Sequence, residues 1–312
     1  MSVKVHLKDR NALKQGKMQN LTSHQKDARA KNSAARLSIF CAAFLILLKA
    51  GAGWMTGSVS VLASLLDSAM DIFASILNFI AVRASSRPAD EDHSYGHGKA
   101  ESLAGLFQSI VIGFSGLFLI WEAIHRLITP RGISSEWIGA ATMVVSVVVS
   151  AALVLRLKRV ARQTDSPAIT SDAAHYVTDI YINLGVLVAL LISGTTGWLR
   201  ADPVISMFIA VYILWSAYKV ARESVDALMD RKLPDNVDEM VAEVVGRYKD
   251  EGVLGFHALR TRSSGSQKFI DLHLEVEKNK RFDEAHDLTV KVLRDIEVEL
   301  PRARVHIHTD PA

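Results

Sequence analysis

Cysteine is almost absent. Cys41 is the only one in 312 residues, and it sits in an apolar run. One thiol cannot build a disulfide framework or a thiolate metal site within a chain. Net charge is also scarce. Thirty-six Lys and Arg against 33 Asp and Glu leave +3, a balance that by itself implies no nucleic-acid partner. No secretory signal is read at the start, because residues 1–33 are polar and basic without an apolar core or a small-residue cleavage pattern. Asp9 and Asp27 argue against an organellar transit sequence, so residues 1–33 are read as a basic cytoplasmic tail. There is no P-loop to couple ATP hydrolysis. No Ser/His/Asp or Cys/His set marks nucleophilic catalysis, and an enzyme is not expected.

What the chain does have is apolar length. It is 49% hydrophobic, and those residues gather into six stretches, at 34–56, 58–83, 102–127, 135–157, 169–192 and 203–221. Each can cross about 30 Å of hydrocarbon as a helix. Six crossings return both termini to one side. Cations crowd the tail (Lys26, Arg29, Lys31), the 83–101 loop (Arg83, Arg87, Lys99), the fourth-to-fifth connection (Arg156, Lys158, Arg159, Arg162) and the segment after the sixth span. The opposite loops hold few. The positive-inside rule places both termini in the cytoplasm. The expected domains are a tail 1–33, a six-helix membrane domain 34–222, a linker 223–234 and a cytoplasmic domain 235–312.

Two of the spans carry ionisable pairs, Asp67 with Asp71 and His175 with Asp179. The i, i+4 spacing puts both members of a pair on one helix face. Charges inside a span are costly and face a bundle interior, a pathway or an ion. Three carboxylates and an imidazole can surround a divalent metal. Snorkelling charges at helix ends, or proton carriers without metal, are the plainer readings, and matched depth weighs against them. Asp71 lies thirteen residues from the outer end at Ser58, and Asp179 fourteen from Ser193. At 1.5 Å per residue both are about 20 Å deep. Antiparallel neighbours would bring the pairs together near mid-membrane.

From Pro234 onward the composition turns charged. The pattern predicts a helix over 236–250, strands over 254–264 and 266–278, a helix over 282–300 and a last strand over 303–310. The order α-β-β-α-β fits a small two-layer α+β domain. Period-two alternation groups Ile270, Leu272, Leu274 and Val276 on one face and Asp271, His273, Glu275 and Glu277 on the other. It likewise groups His306, His308 and Asp310.

Taken together, the pairs Asp67/Asp71 and His175/Asp179, the loop PADEDHSYGHGKAES and the ending HIHTDP resemble the cation diffusion facilitators. Among these the likeness is to the FieF/YiiP type of bacterial zinc and ferrous-iron efflux pump. It runs from about residue 34 to the end, and four separated stretches agree in order and spacing. The resemblance implies a homodimer in the inner membrane that exchanges cytoplasmic divalent metal for protons, without a prosthetic group. Zinc is the first expectation, with ferrous iron and cadmium as further cargo. It implies a metallochaperone-like, ferredoxin-like cytoplasmic domain. By position it assigns Asp67, Asp71, His175 and Asp179 to the transport site, and Asp90, His93 and His97 to a second site in the loop after the second span. It assigns His257, His273, His286, His308 and Asp310 to a binuclear cytoplasmic site at the dimer contact. Lys99 and Asp230 are its candidates for an interlock. His306 is not carried over.

The residues supply a physical basis for exchange. Three carboxylates in low dielectric repel one another, so the site should hold either metal or protons, and the two compete. His175 is a natural proton carrier. A passive divalent-cation channel would need the carboxylates without proton coupling. A metal sensor would need only the cytoplasmic domain and predicts no flux.

Overall fold

The computed structural model describes residues 25–51, 59–129, 137–196 and 200–312. Within these, the side chains at 59–70, 137–139, 190, 193, 194 and 202 lie outside the description. The described residues divide into two units, one of Asp27–Val225 and one of Asp226–Ala312, with Gln25 and Lys26 grouped with the latter.

The first unit is helical. Its elements are α1 (Gln25–Gly51), α2 (Val59–Ser85), α3 (Ala100–Ile128), α4 (Trp137–Thr164), α5 (Pro167–Thr196) and α6 (Ala201–Leu228). Among the described residues α1, α3, α4 and α6 are long and apolar enough to cross a membrane. The other two, α2 and α5, have 27 and 30 residues and carry the ionisable pairs. The helices outrun the apolar stretches. α1 begins inside the expected tail, and α6 continues to Leu228, through residues expected to link the domains. Hydropathy marks the part of a helix that sits in hydrocarbon, whereas the helix itself ends where capping ends it. The α4–α5 junction shows this. Asp165 takes φ +48° and breaks α4, and Pro167 opens α5 at the position where a missing N–H costs nothing. Ser166 caps α5, its Oγ accepting from the Ile169 N–H at 3.3 Å.

Small residues let the helices meet. Ala34 and Ala35 of α1, Val82 of α2, Leu153 and Leu157 of α4, and Ala168, Ile169 and Tyr176 of α5 form one buried cluster. Ile112 of α3 packs with Ile213 and Ala217 of α6. A Cβ at Gly105 would lie 2.6 Å from Ser224 Oγ, so glycine sets the approach of α3 to α6. Phe114, Phe118 and Trp121 of α3 and Phe208 and Trp215 of α6 stand outward and exposed. Outward aromatic faces suit a unit whose solvent is lipid.

The second unit contains α7 (Asp235–Gly246), a short 3-10 turn (Lys249–Glu251), β1 (Val253–Ser264), β2 (Gln267–Val276), α8 (Phe282–Glu299) and β3 (Ala303–Pro311). This is the predicted order. β2 is central, antiparallel to β1 and parallel to β3. Parallel pairing needs a crossover, which α8 provides. Val237, Val241, Val244 and Val245 of α7 and Leu288, Val292 and Ile296 of α8 pack on Ile270, Leu272, Leu274, Val276 and Val305. Leu233 joins this core, and its N–H donates to Thr261 Oγ1 at 3.0 Å. The other sheet face is polar. A β-bulge falls between His257 and Arg260 of β1, where Ala258 adopts φ +51°. Such a bulge re-aims the side chains beside it.

Candidate metal centres

In the helical unit α2 and α5 meet at Asp71, His175 and Asp179. His175 Nε2 lies 3.0 Å from Asp71 Oδ1 and 3.9 Å from Asp179 Oδ2. Asp71, His175 and Asp179 each offer one ligand atom, and these atoms lie within 4.8 Å of one another. His175 is buried, while the two carboxylates keep partial exposure. The arrangement follows from helix geometry. The pair at i, i+4 on α5 shares a face, and that face is turned to α2. Asp67 lies on α2 by its backbone, but its side chain is outside the described residues.

The second cluster occupies the loop between α2 and α3. Asp90 Oδ1 accepts the His93 N–H at 2.7 Å and lies 3.2 Å from His93 Nδ1. Asp90 Oδ2 lies 3.3 Å from His97 Nε2. The turn is held by the Gly96 N–H donating to the His93 carbonyl at 2.9 Å, with Gly96 at φ +80°. The backbone hydrogen bond from His93 is the main cause that keeps the Asp90 carboxyl below its usual range. Asp90, His93 and His97 also present ligand atoms within 4.8 Å.

The third cluster crosses the polar face of the sheet. His257 pairs with His273 across β1 and β2, and His273 lies in register with His308 across β2 and β3. The imidazoles form a row, with ring centroids 5.0 and 4.8 Å apart. Asp310 is the hub. Its Oδ2 lies 2.9 Å from His273 Nδ1 and 3.5 Å from His257 Nε2, and its Oδ1 lies 3.2 Å from His308 Nε2. The His273 hydrogen bond is the main cause that depresses the Asp310 carboxyl. His257, His273 and Asp310 form the third group able to hold a metal.

Three expected residues are not among the ligand groups of these clusters. His286, on α8, stacks on Phe282 with centroids 6.3 Å apart and is not in the Asp310 group. Lys99 is the N-cap of α3. Asp230, at φ +57°, accepts a hydrogen bond from Arg262 at 3.3 Å. His306 lies opposite Asp271.

Other polar groups border these clusters. Glu275 Oε1 lies 2.9 Å from His257 Nδ1, so a second carboxylate borders the imidazole row. Its place on the polar face of β2 was the available signal. Asp172 lies three residues before His175 on α5, and its buried Oδ2 accepts from Ser38 of α1 at 2.5 Å. Its i, i+3 spacing from His175 was readable, but its contact with α1 was not. Lys31 and Glu101 form a buried ion pair that no local pattern announces.

Residues 35–229 match the cation efflux transmembrane domain, and residues 233–312 match the cation efflux protein cytoplasmic domain. The chain belongs to the cation efflux family. A Klebsiella pneumoniae relative, the cation-efflux pump FieF, is 41% identical over 93% of this chain and 95% of its own. The FieF pump of Cronobacter sakazakii is 42% identical over 91% of this chain and 93% of its own. A solved structure of CzrB, a zinc-transporter candidate in its zinc form, covers 26% of this chain and 92% of its own, at 28% identity and TM-score 0.25. Members of the cation efflux family are membrane transporters, not enzymes. The matched cytoplasmic family fits a homodimer.

Proposed function

We propose that the chain is a divalent-metal efflux transporter of the inner membrane that exchanges cytoplasmic metal for protons. The observation that carries this is the convergence of Asp71, His175 and Asp179 from two long helices. Asp67, one turn before Asp71, completes the cargo site in this reading. Nitrogen and oxygen donors at these distances suit zinc, and they also accept ferrous iron and cadmium. The same atoms bind protons when metal leaves, since ligands must be deprotonated to hold metal. An acid–base group already aimed at a carboxylate, as His175 is at Asp71, favours exchange over passive conduction.

The remaining assignments follow from this reading. Both termini are cytoplasmic, and the protein works as a homodimer through the unit that starts near residue 233. Asp90, His93 and His97 form a second metal site in the loop. His257, His273, His308 and Asp310 hold regulatory metal at the dimer contact, where His286 joins them. Lys99 and Asp230 serve as an interlock between membrane halves. The domain limits are 1–33 for the tail, 34–222 for the transport domain, 223–234 for the linker and 235–312 for the cytoplasmic domain.

The test is transport by the full-length protein in sealed vesicles with an imposed pH difference. Exchange moves zinc against its own gradient. A passive channel only equilibrates zinc, and a sensor moves none. Either of those results overturns the proposal.

A further inference from the structure

Lys31 belongs to the stretch that reads in sequence as a basic cytoplasmic tail, and it precedes residue 35, where the family match begins. In the structure it is only 5% exposed. Its Nζ donates to Glu101 Oε1 at 2.6 Å, and Glu101 is fully buried. The same Oε1 accepts from Ser85 Oγ at 2.8 Å, while Oε2 accepts from Ser166 Oγ. Ser166 is the cap of α5. One carboxylate thus ties together the start of α1, the end of α2, the start of α3 and the start of α5. These points share one end of the bundle, because the helices alternate in direction. Glu101 also lies four residues after His97, so the loop cluster and this node meet at the start of one helix.

Burying two charges is costly, and apolar residues of equal volume hold a bundle at least as well. A fully satisfied buried pair therefore adds little static stability over such a replacement. What it adds is a contact that is strong while dry and weak once water reaches it. That is the behaviour of a two-state closure.

We propose that Lys31 is a positioning residue for transport. Acting through Glu101, it latches the cytoplasmic ends of α1, α2, α3 and α5 and sets the balance between the state with those ends together and the state with them apart. This rests on the transport reading and orientation proposed above.

The experiment compares zinc flux by full-length wild type, Lys31→Met and the double variant Lys31→Met/Glu101→Gln in sealed vesicles, per folded transporter. The single variant leaves Glu101 charged and unpaired, so its folded yield drops. The double variant restores the yield by removing both charges. We expect the double variant to turn over at least about tenfold more slowly, with half-saturating cytoplasmic zinc unchanged or lower. The reason is that the ends-apart state, which admits cytoplasmic zinc, becomes favoured. A merely structural pair would alter yield and leave both parameters alone. Wild-type turnover in the double variant overturns the latch, as does raised half-saturation at unchanged turnover. Asp71→Ala is the control. If it abolishes flux while the double variant transports normally, only the latch fails. If it transports normally, the cargo site fails and the latch with it.

Discussion

His175 Nε2 and Asp71 Oδ1 lie 3.0 Å apart although 104 residues separate them in the chain. This contact joins the two helices that carry the ionisable pairs, and it sets what each side chain should do when altered.

Asp71→Ala and Asp179→Ala each remove one oxygen donor from the membrane cluster. Zinc flux should fall by more than about a hundredfold in either variant, since loss of even an outer-shell partner costs 10–100-fold at metal sites. The variants should still insert and run as folded protein, because neither side chain is fully buried. Zinc uptake into vesicles checks this, and wild-type rates in either variant would remove the residue from the site.

His175→Asp exchanges the nitrogen donor of the described cluster for a hard oxygen. Discrimination against manganese should weaken, because carboxylate sets accept manganese more readily than imidazole-containing sets do. The pH dependence of flux should also change, because the imidazole that could carry a proton is gone. Competition assays across zinc, cadmium and manganese at several pH values measure both. An unchanged order and profile would assign the selectivity elsewhere.

The cytoplasmic cluster should respond to pH in two separated steps. The Asp310 carboxyl lies below its usual value, mainly through the His273 hydrogen bond. A depressed carboxyl contributes stability that is present above its unfolded value of about 3.9 and is lost as pH falls through its lower folded value. Zinc binding should go earlier, because the ligands must be deprotonated to hold metal. Acidification should therefore strip zinc from the unit before it unfolds it. Zinc titration and thermal melting of the same sample follow the two steps, and simultaneous loss of fold and metal would refute the separation.

Zinc should also tighten association of the cytoplasmic unit, because a ligand that binds the associated state preferentially stabilises it. The fragment should begin before Leu233, which belongs to the core. A start at residue 235 removes it. Sedimentation with and without zinc is the measurement, and His273→Ala/His308→Ala should lose the response while keeping the fold. Association that ignores zinc would make these histidines ordinary surface residues.

Ile296→Ala provides a stability reference for the same unit. Ile296 is fully buried between α8 and the sheet, so truncation should cost about 2–5 kcal/mol. Chemical denaturation of the fragment reads this directly, and a loss below about 1 kcal/mol would mean that the core closes around the gap.

The sequence patterns carried further in some places than in others. Period-two alternation on β2 predicted both faces of the sheet, because a half-buried strand writes its environment into every second residue. It could not supply the row of His257, His273 and His308, which depends on strand register and on the bulge after His257. The i, i+4 pairs on α2 and α5 were legible because helix faces are local. Their meeting was not, since nothing in a single helix names its neighbour. The burial of Lys31 was not legible for the same reason. Its partner is seventy residues away, and a lone lysine before an apolar run looks like any tail cation. Helix ends ran past the apolar stretches because caps such as Ser166, not hydropathy, stop a helix.

The parallel pairing of β2 with β3 has a consequence for the order of synthesis. Hairpin contacts are local, so the pairing of His257 with His273 needs no residue beyond β2. His308 and Asp310 arrive only after α8 has crossed back over the sheet. A stalled or clipped chain ending before β3 would hold two imidazoles and lack the carboxylate on which the row converges. Under the proposed function, metal held by the whole set would therefore distinguish a chain with β3 in place from one without it.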